Sequence, residues 1–414
     1  EVLKLLQKSY AGKVKLIYID PPYNTGKDFV YPDNFRDNIQ NYLELTGQLD
    51  GEGKKLTSNT EASGRFHTAW LNMMYPRLKL ARNLLSRDGA IFATVDDGEL
   101  CDLVAVMNEV FGEENRVVVA AWHKRVSPAN DAKWFSSDHD YVIVYAREKA
   151  SWRPQRLERT AAQLENYRNP DNDERGPWNS ATYTCPKSKD ERPNLFYPIT
   201  NPNTGEVVWP KETAVWKYAD TVMREHQAEG RLYWGADGKA SAPRIKLFLS
   251  EMTGVVPRSV WSSEEFGHTQ EATAELRELF DGAQVFDSPK PVRLLRRILE
   301  LGCVGSGDLV VDFFAGSGTT GAAVWERNLE NGGSLRYVLV QLPEPVGGPG
   351  FETIADVTKE RLRRSGKRVR DANPMFSGDL GFRVFKLDST NIRPWDPDRE
   401  NLERTLDEAV EHVK

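Results

Sequence analysis

The sequence predicts an α/β fold of the doubly wound kind, interrupted midway by a long and largely β insert. Three observations predict it. Short apolar runs alternate with helical apolar spacing over residues 1–150, and the same rhythm returns after Pro289. Between about 150 and 285 that periodicity weakens and turn pairs multiply, among them Asn169-Pro170, Asn201-Pro202 and Asp237-Gly238. Two of the apolar runs end in segments of unusual composition, Asp20-Pro21-Pro22-Tyr23 and Phe314-Ala315-Gly316-Ser317-Gly318. The carboxyl ends of strands are where open α/β sheets hold their ligands.

Taken in order, residues 14–19 (VKLIYI) are a short apolar run suited to a buried strand ending at Asp20. Residues 33–67 are polar and rich in Gly, Asn and Thr, too long for an ordinary connection and therefore functional or mobile. A helix is predicted over 70–86, closed by Asp88-Gly89, and the next strand over 90–95. A helix follows at 98–111, then strands at 116–122 and 141–146. Beyond the insert come a helix at 292–301 and a strand at 309–313. A glycine turn then opens a helix at 320–328, a strand follows at 337–341, and a charged helix runs over 400–414. There is no internal repeat.

Composition bounds the function. The 414 residues are 39% hydrophobic and 28% charged, with a mean hydropathy of -0.57, which excludes disordered, collagen-like and membrane-bundle classes. No apolar run approaches the ~20 residues of a membrane span. Three separated cysteines and six scattered histidines predict neither a disulfide scaffold nor a metal site, and they suit a reducing cytoplasm. The net charge of -6 argues against a polyanion binder when taken alone. Its distribution is uneven: residues 1–120 sum to -3, 121–250 to +3 and 251–414 to -6. Eight of the eleven tryptophans lie between 122 and 261. A basic, Trp-rich centre fits a nucleic-acid-contacting insert and equally a β subdomain with aromatic cross-strand pairs.

The first motif presents a carboxylate, free carbonyls and one ring on a rigid ledge, because each proline fixes φ, lacks an N–H and extends its predecessor. A nucleobase amine needs that set: acceptors for two N–H bonds and a ring for stacking. The same four residues would also serve as a plain strand-ending turn. In the second motif, Asp312 to Thr320, glycines admit a ligand close to the backbone and the following helix start favours an anion. The spacing is neither that of a P-loop nor that of a dinucleotide fingerprint. Glu344, at the end of the following strand, suits ribose hydroxyls or is simply a solvated charge.

DPPY preceding FAGSG, with a large insert between, resembles the β class of S-adenosylmethionine-dependent amino-methyltransferases acting on DNA. The stretches DPPYNTGKDFVYPDNF, TGQLDGEGKKLTSNTEASGRFHTAWLNMMYPRLKLARNLLSRDGAIFATVDDGE, SSDHDYVIVYAR, Pro289-Lys290-Pro291 and GFRVFKLDSTNIRPW resemble the modification subunit of type III restriction–modification systems.

That resemblance implies a Rossmann-like methyltransferase sheet of seven strands. It implies a catalytic half over 1–149, a target-recognition insert over 150–285 and a cofactor-binding half over 286–395. Residues 396–414 would be a helical tail, cut short relative to the family. The implied activity is methyl transfer from S-adenosylmethionine to adenine N6 in double-stranded DNA. Asp20, Pro21, Pro22 and Tyr23 would orient and stack the base. Lys290, Pro291, Asp312, Phe314, Ala315, Gly316, Ser317, Gly318, Thr319 and Glu344 would hold the cofactor. Arg153, Arg156, Lys187 and Lys189 would contact DNA. A homodimer and a helicase-nuclease restriction partner in a prokaryotic cytoplasm are implied too. A stand-alone methyltransferase, a DNA-binding chain without activity and a glutamine-modifying methyltransferase remain as alternatives.

Overall fold

The structure is a computed structural model that describes residues 1–24, 66–129, 132–302, 305–346 and 350–387. The long polar stretch expected to be functional and the expected helix at 400–414 lie outside these, apart from Phe66 and His67. Helix α1 (Val2–Tyr10) leads into strand β1 (Val14–Ile19). Helix α2 (Phe66–Leu84) passes directly into β2 (Leu85–Val95), followed by α3 (Leu100–Phe111), β3 (Arg116–His123) and β4 (His139–Ala146). The middle of the chain carries α4 (Ala161–Leu164), β5 (Trp178–Thr182), β6 (Ile199–Thr200), β7 (Val207–Val208), α5 (Asp220–Ala228), β8 (Leu232–Tyr233) and β9 (Arg244–Phe248). Then come β10 (Val260–Trp261), α6 (Ser263–Phe266), α7 (Thr269–Leu279) and α8 (Val292–Gly302). The last elements are β11 (Leu309–Asp312), α9 (Thr319–Asn331), β12 (Arg336–Leu339) and α10 (Ile354–Ala372).

The chain divides into two compact units, Glu1–Gln155 with Pro257–Lys414, and Arg156–Val256. The larger unit holds a seven-stranded sheet in the order β10-β3-β4-β2-β1-β11-β12. All neighbours run parallel except around β4, which is antiparallel to both β2 and β3. Successive side chains of β1 point to opposite faces. Ile17 and Ile19 join a core with Leu3 of α1, Trp70 of α2 and Leu103 of α3, while Leu16 meets Gly302 at the end of α8. Helices therefore cover both faces, as the doubly wound reading requires. In α2 the buried residues Trp70, Met73, Met74, Leu78, Ala81 and Leu84 follow helical spacing, which is why this helix docks on the sheet. Burying each of the larger side chains contributes roughly 1.5–3 kcal/mol.

Three differences from the sequence reading have physical causes. Asp88-Gly89 does not close a helix: α2 ends at Leu84, and the pair lies inside β2, where the register against β1 shifts between Val14 and Leu16. Residues 257–285, assigned to the insert, pack with the larger unit, because β10 extends its sheet beside β3. Helices α1, α7 and α10 were not anticipated: charges dilute the apolar spacing of α7 and α10, and α1 is only nine residues long.

The smaller unit has a three-stranded antiparallel sheet, β5-β9-β8, and a short β6-β7 pair. Its core gathers Tyr183, Ile199, Val208, Trp216, Met223, Trp234 and Ile245. Three of its tryptophans, Trp178, Trp216 and Trp234, are buried, and Trp178 packs edge-on against Tyr233 with ring centres 4.9 Å apart. Trp209 is exposed. Most of the Trp enrichment in this unit therefore serves packing.

Candidate active site

The parallel pairing of β1 with β11 sets Leu16 opposite Val310 and Ile17 opposite Val311. Both strands end at the same edge, so two motifs about 300 residues apart in sequence emerge side by side. Because β4 is antiparallel, its first residues, His139 and Asp140, also lie at this edge, opposite His123 and Trp122 at the end of β3.

Asp20 is held from two sides. Thr94, fully buried near the end of β2, donates its hydroxyl to Oδ1 at 2.6 Å, and the Lys290 ammonium lies 2.5 Å from Oδ2. The same ammonium stands 4.9 Å from the centre of the Tyr23 ring. The Tyr23 hydroxyl contacts Asp140 Oδ2 at 3.5 Å, and Lys124 pairs with Asp140 Oδ1 at 2.5 Å. Burial, with Asp20 and Asp140 nearby, pushes the Tyr23 phenol well above its ordinary value and keeps it neutral. Burial also raises the Asp140 carboxyl, against the pull of Lys124.

The backbone of the ledge is pinned as well. The Trp70 indole N–H donates to the Pro22 carbonyl at 2.7 Å. The Pro22 carbonyl is therefore already engaged. Asn24 adopts a left-handed conformation with φ 58°, and its amide donates to Glu99 Oε1 at 2.6 Å. His67 approaches that oxygen at 2.8 Å and Asp102 at 3.3 Å.

The second motif wraps around Asp312, which is buried and accepts from the Phe314 N–H at 3.0 Å and the Thr320 hydroxyl at 2.6 Å. Burial raises this carboxyl to about 7. With both oxygens engaged, Asp312 braces the turn from behind. Gly316 and Gly318 have φ of 52° and 84°, a region that strains residues bearing a Cβ. A Cβ on Gly318 would also come within 3.0 Å of the Thr358 methyl. The Gly316 N–H donates to Gln341 Oε1 at 2.7 Å, and the Gln341 amide reaches Glu344 Oε2 at 3.3 Å. Ala315, Ser317 and Thr319 are buried within the turn. The Thr319 hydroxyl donates to the Lys290 carbonyl at 3.3 Å, tying the turn to the residue that grips Asp20. Pro291, the next residue, is buried and packs against Gly267.

The structure thus gathers Asp20, Pro21, Pro22, Tyr23, Lys290 and the Asp312–Thr319 turn at one edge. Lys290, expected among the residues that would hold the cofactor, has its ammonium on Asp20. Thr94, Lys124, Asp140, Gln341 and Thr358 were missed as site residues. One signal was available: Thr94 is the single polar residue of the apolar run at 90–95. Of the expected DNA contacts, Arg153 is exposed but belongs to the larger unit, and Arg156 is exposed at the start of the smaller one. Lys187 and Lys189 pair with Glu191 at 2.8 Å and Glu212 at 2.7 Å.

The model of the DNA methylase (N6/N4) family matches residues 14–333, spanning both motifs and the insert. The chain belongs to that family. Among characterised relatives it is 34% identical over 396 residues to the type III restriction-modification enzyme StyLTI Mod subunit of Salmonella typhimurium, covering 94% of this chain and 59% of that one. It is 31% identical to the EcoP15I Mod subunit of Escherichia coli, covering 94% and 64%. The type II methyltransferase M.KpnI of Klebsiella pneumoniae is 29% identical, with 87% and 84% covered. The chain spans about three fifths of the length of the Mod subunits it matches. Among the described residues no helix is long and apolar enough to cross a membrane.

Proposed function

We propose that this chain transfers a methyl group from S-adenosylmethionine to the N6 amine of an adenine in double-stranded DNA. One observation carries the proposal: the Asp20 carboxylate, which opens the Pro-Pro ledge, is tied through Lys290 to the glycine turn. The donor set fits the cofactor. The left-handed glycines bring backbone to the ligand, the start of α9 favours a carboxylate, and Glu344 suits ribose hydroxyls. Gly316, Ser317, Gly318, Thr319 and Glu344 would hold it, with Phe314, Ala315 and Pro291 packed beside them. When bound, it supplies an electrophilic methyl group on a sulfonium sulfur.

The protein's own part is positioning and electrostatics. The target base must leave the helix stack to reach this edge. Asp20 and the Pro21 carbonyl accept the two amine hydrogens, which turns the nitrogen lone pair toward the glycine turn. Thr94 and Lys290 fix the carboxylate while it does so, and Tyr23 stacks on the base. Because Lys290 already occupies Oδ2, the incoming amine shares or displaces that contact.

Similarity to Mod subunits over 94% of the chain supports a role as the modification part of a type III system. In such a system it would work as a homodimer with a restriction subunit in a prokaryotic cytoplasm. Residues 156–256 would choose the DNA site, and Arg153, Arg156, Lys187 and Lys189 would contact phosphates. A stand-alone methylase is the second reading, favoured by the 84% coverage of M.KpnI. The product tests the activity. Incubation with tritiated S-adenosylmethionine and double-stranded DNA, followed by digestion to nucleosides, should give label in N6-methyladenine. Label in N4- or C5-methylcytosine would overturn the assignment.

A further inference from the structure

Arg361 of α10 is only 2% exposed, rare for an arginine, and no carboxylate among the described residues lies within ion-pair distance of it. One guanidinium nitrogen donates to the Ser317 hydroxyl and to the Thr319 hydroxyl, each at 2.7 Å, and Nε has no partner. Both hydroxyls belong to the glycine turn at the start of the 13-residue helix α9. One turn earlier on the same face of α10, Thr358 donates its hydroxyl to the Gly316 carbonyl at 2.6 Å. Helix α10 therefore holds the turn twice, once by a neutral hydroxyl and once by a buried cation. Burial lowers the Arg361 pKa to about 10, and Glu275 and Glu326 counter this from a distance, so the group stays charged at neutral pH.

A buried cation without a paired carboxylate is costly and persists where something compensates it. Here it lies beneath a helix start, itself a region of positive potential. Tying α10 to this turn needs no charge, since the neutral Thr358 hydroxyl does so at the Gly316 carbonyl. Charge is useful at this position when the group bound on the far side of the turn is an anion.

We propose that Arg361 is a positioning residue that makes the glycine turn selective for the carboxylate end of S-adenosylmethionine, acting through Ser317, Thr319 and the start of α9. This rests on the proposed cofactor. The Lys290 ammonium is engaged by Asp20, so it is not the cation this role invokes.

The test compares two ligands of the full chain by calorimetry: S-adenosylmethionine, and 5′-methylthioadenosine, which lacks the amino-acid end. Arg361→Met should weaken S-adenosylmethionine at least tenfold and 5′-methylthioadenosine less than threefold. Arg361→Lys, which keeps the charge, should hold the ratio of the two affinities within threefold of wild type. It also remains informative if the Met variant fails to fold. Equal weakening of both ligands in Arg361→Met, or a ratio in Arg361→Lys that falls by more than threefold, would reduce Arg361 to a structural prop and overturn the inference. A wild-type chain that binds neither ligand would overturn the proposed function and this inference together.

Discussion

Asp20 and Asp312 end adjacent parallel strands, yet their surroundings give them opposite tasks. Asp20 is partly exposed and held by a hydroxyl and an ammonium, which suits a carboxylate that must accept from an incoming amine. Asp312 is enclosed, and burial lifts its carboxyl to about 7. Its folded pKa lies above the unfolded value near 3.9, so the native state binds more protons than the unfolded state between about pH 4 and 7. Stability at this site is therefore highest in mild acid and falls as pH rises toward 7. Three units correspond to up to about 4 kcal/mol. Asp312→Asn should remove that share: urea midpoints at pH 5 and pH 7.5 should differ less in the variant than in wild type. An unchanged difference would mean that Asp312 ionises freely. At this scale much was legible, because DPPY and FAGSG are chemically unusual where they stand. Arg361 was not, since nothing local marks an arginine in a charged helix as buried. Nor was the grip of Lys290 on Asp20, which depends on a contact 270 residues away in sequence.

At the scale of elements, the glycine turn depends on backbone conformation and on α10 behind it. Gly318 has φ 84° and a Cβ there would press on Thr358, so Gly318→Ala should carry about 1–2 kcal/mol of backbone strain in addition to that contact. Equilibrium dialysis should show weaker S-adenosylmethionine binding in Gly318→Ala and in Gly316→Val, with non-specific DNA affinity unchanged. Normal cofactor affinity in both variants would separate the turn from the cofactor. The strands of this sheet were legible because buried strands read as apolar runs, and β1 falls at the predicted residues. Helix α10 escaped notice because its buried apolar residues, Val357, Leu362 and Val369, are sparse among many charges. Strand β10 has two residues, too few to show any period.

Across the whole molecule, one function is assembled from sequence ends that only the sheet order brings together. The smaller unit has a core of its own and pairs two of the basic residues considered for DNA with carboxylates. Its proposed task is choice of site, and exchange is the direct check. Replacing residues 156–256 by the equivalent stretch of a relative with another recognition sequence should transfer that sequence to the chimera, read by sequencing with modified-base detection. An active chimera that keeps its original site would make this unit scaffold. The central claim, that Asp20 meets the base amine at an edge shared with the cofactor turn, is tested most directly by Asp20→Ala. Methyl transfer to DNA and S-adenosylmethionine affinity should be measured on the same preparation. Transfer should fall at least 100-fold while cofactor affinity stays within a few-fold of wild type; turnover equal to wild type would contradict the account.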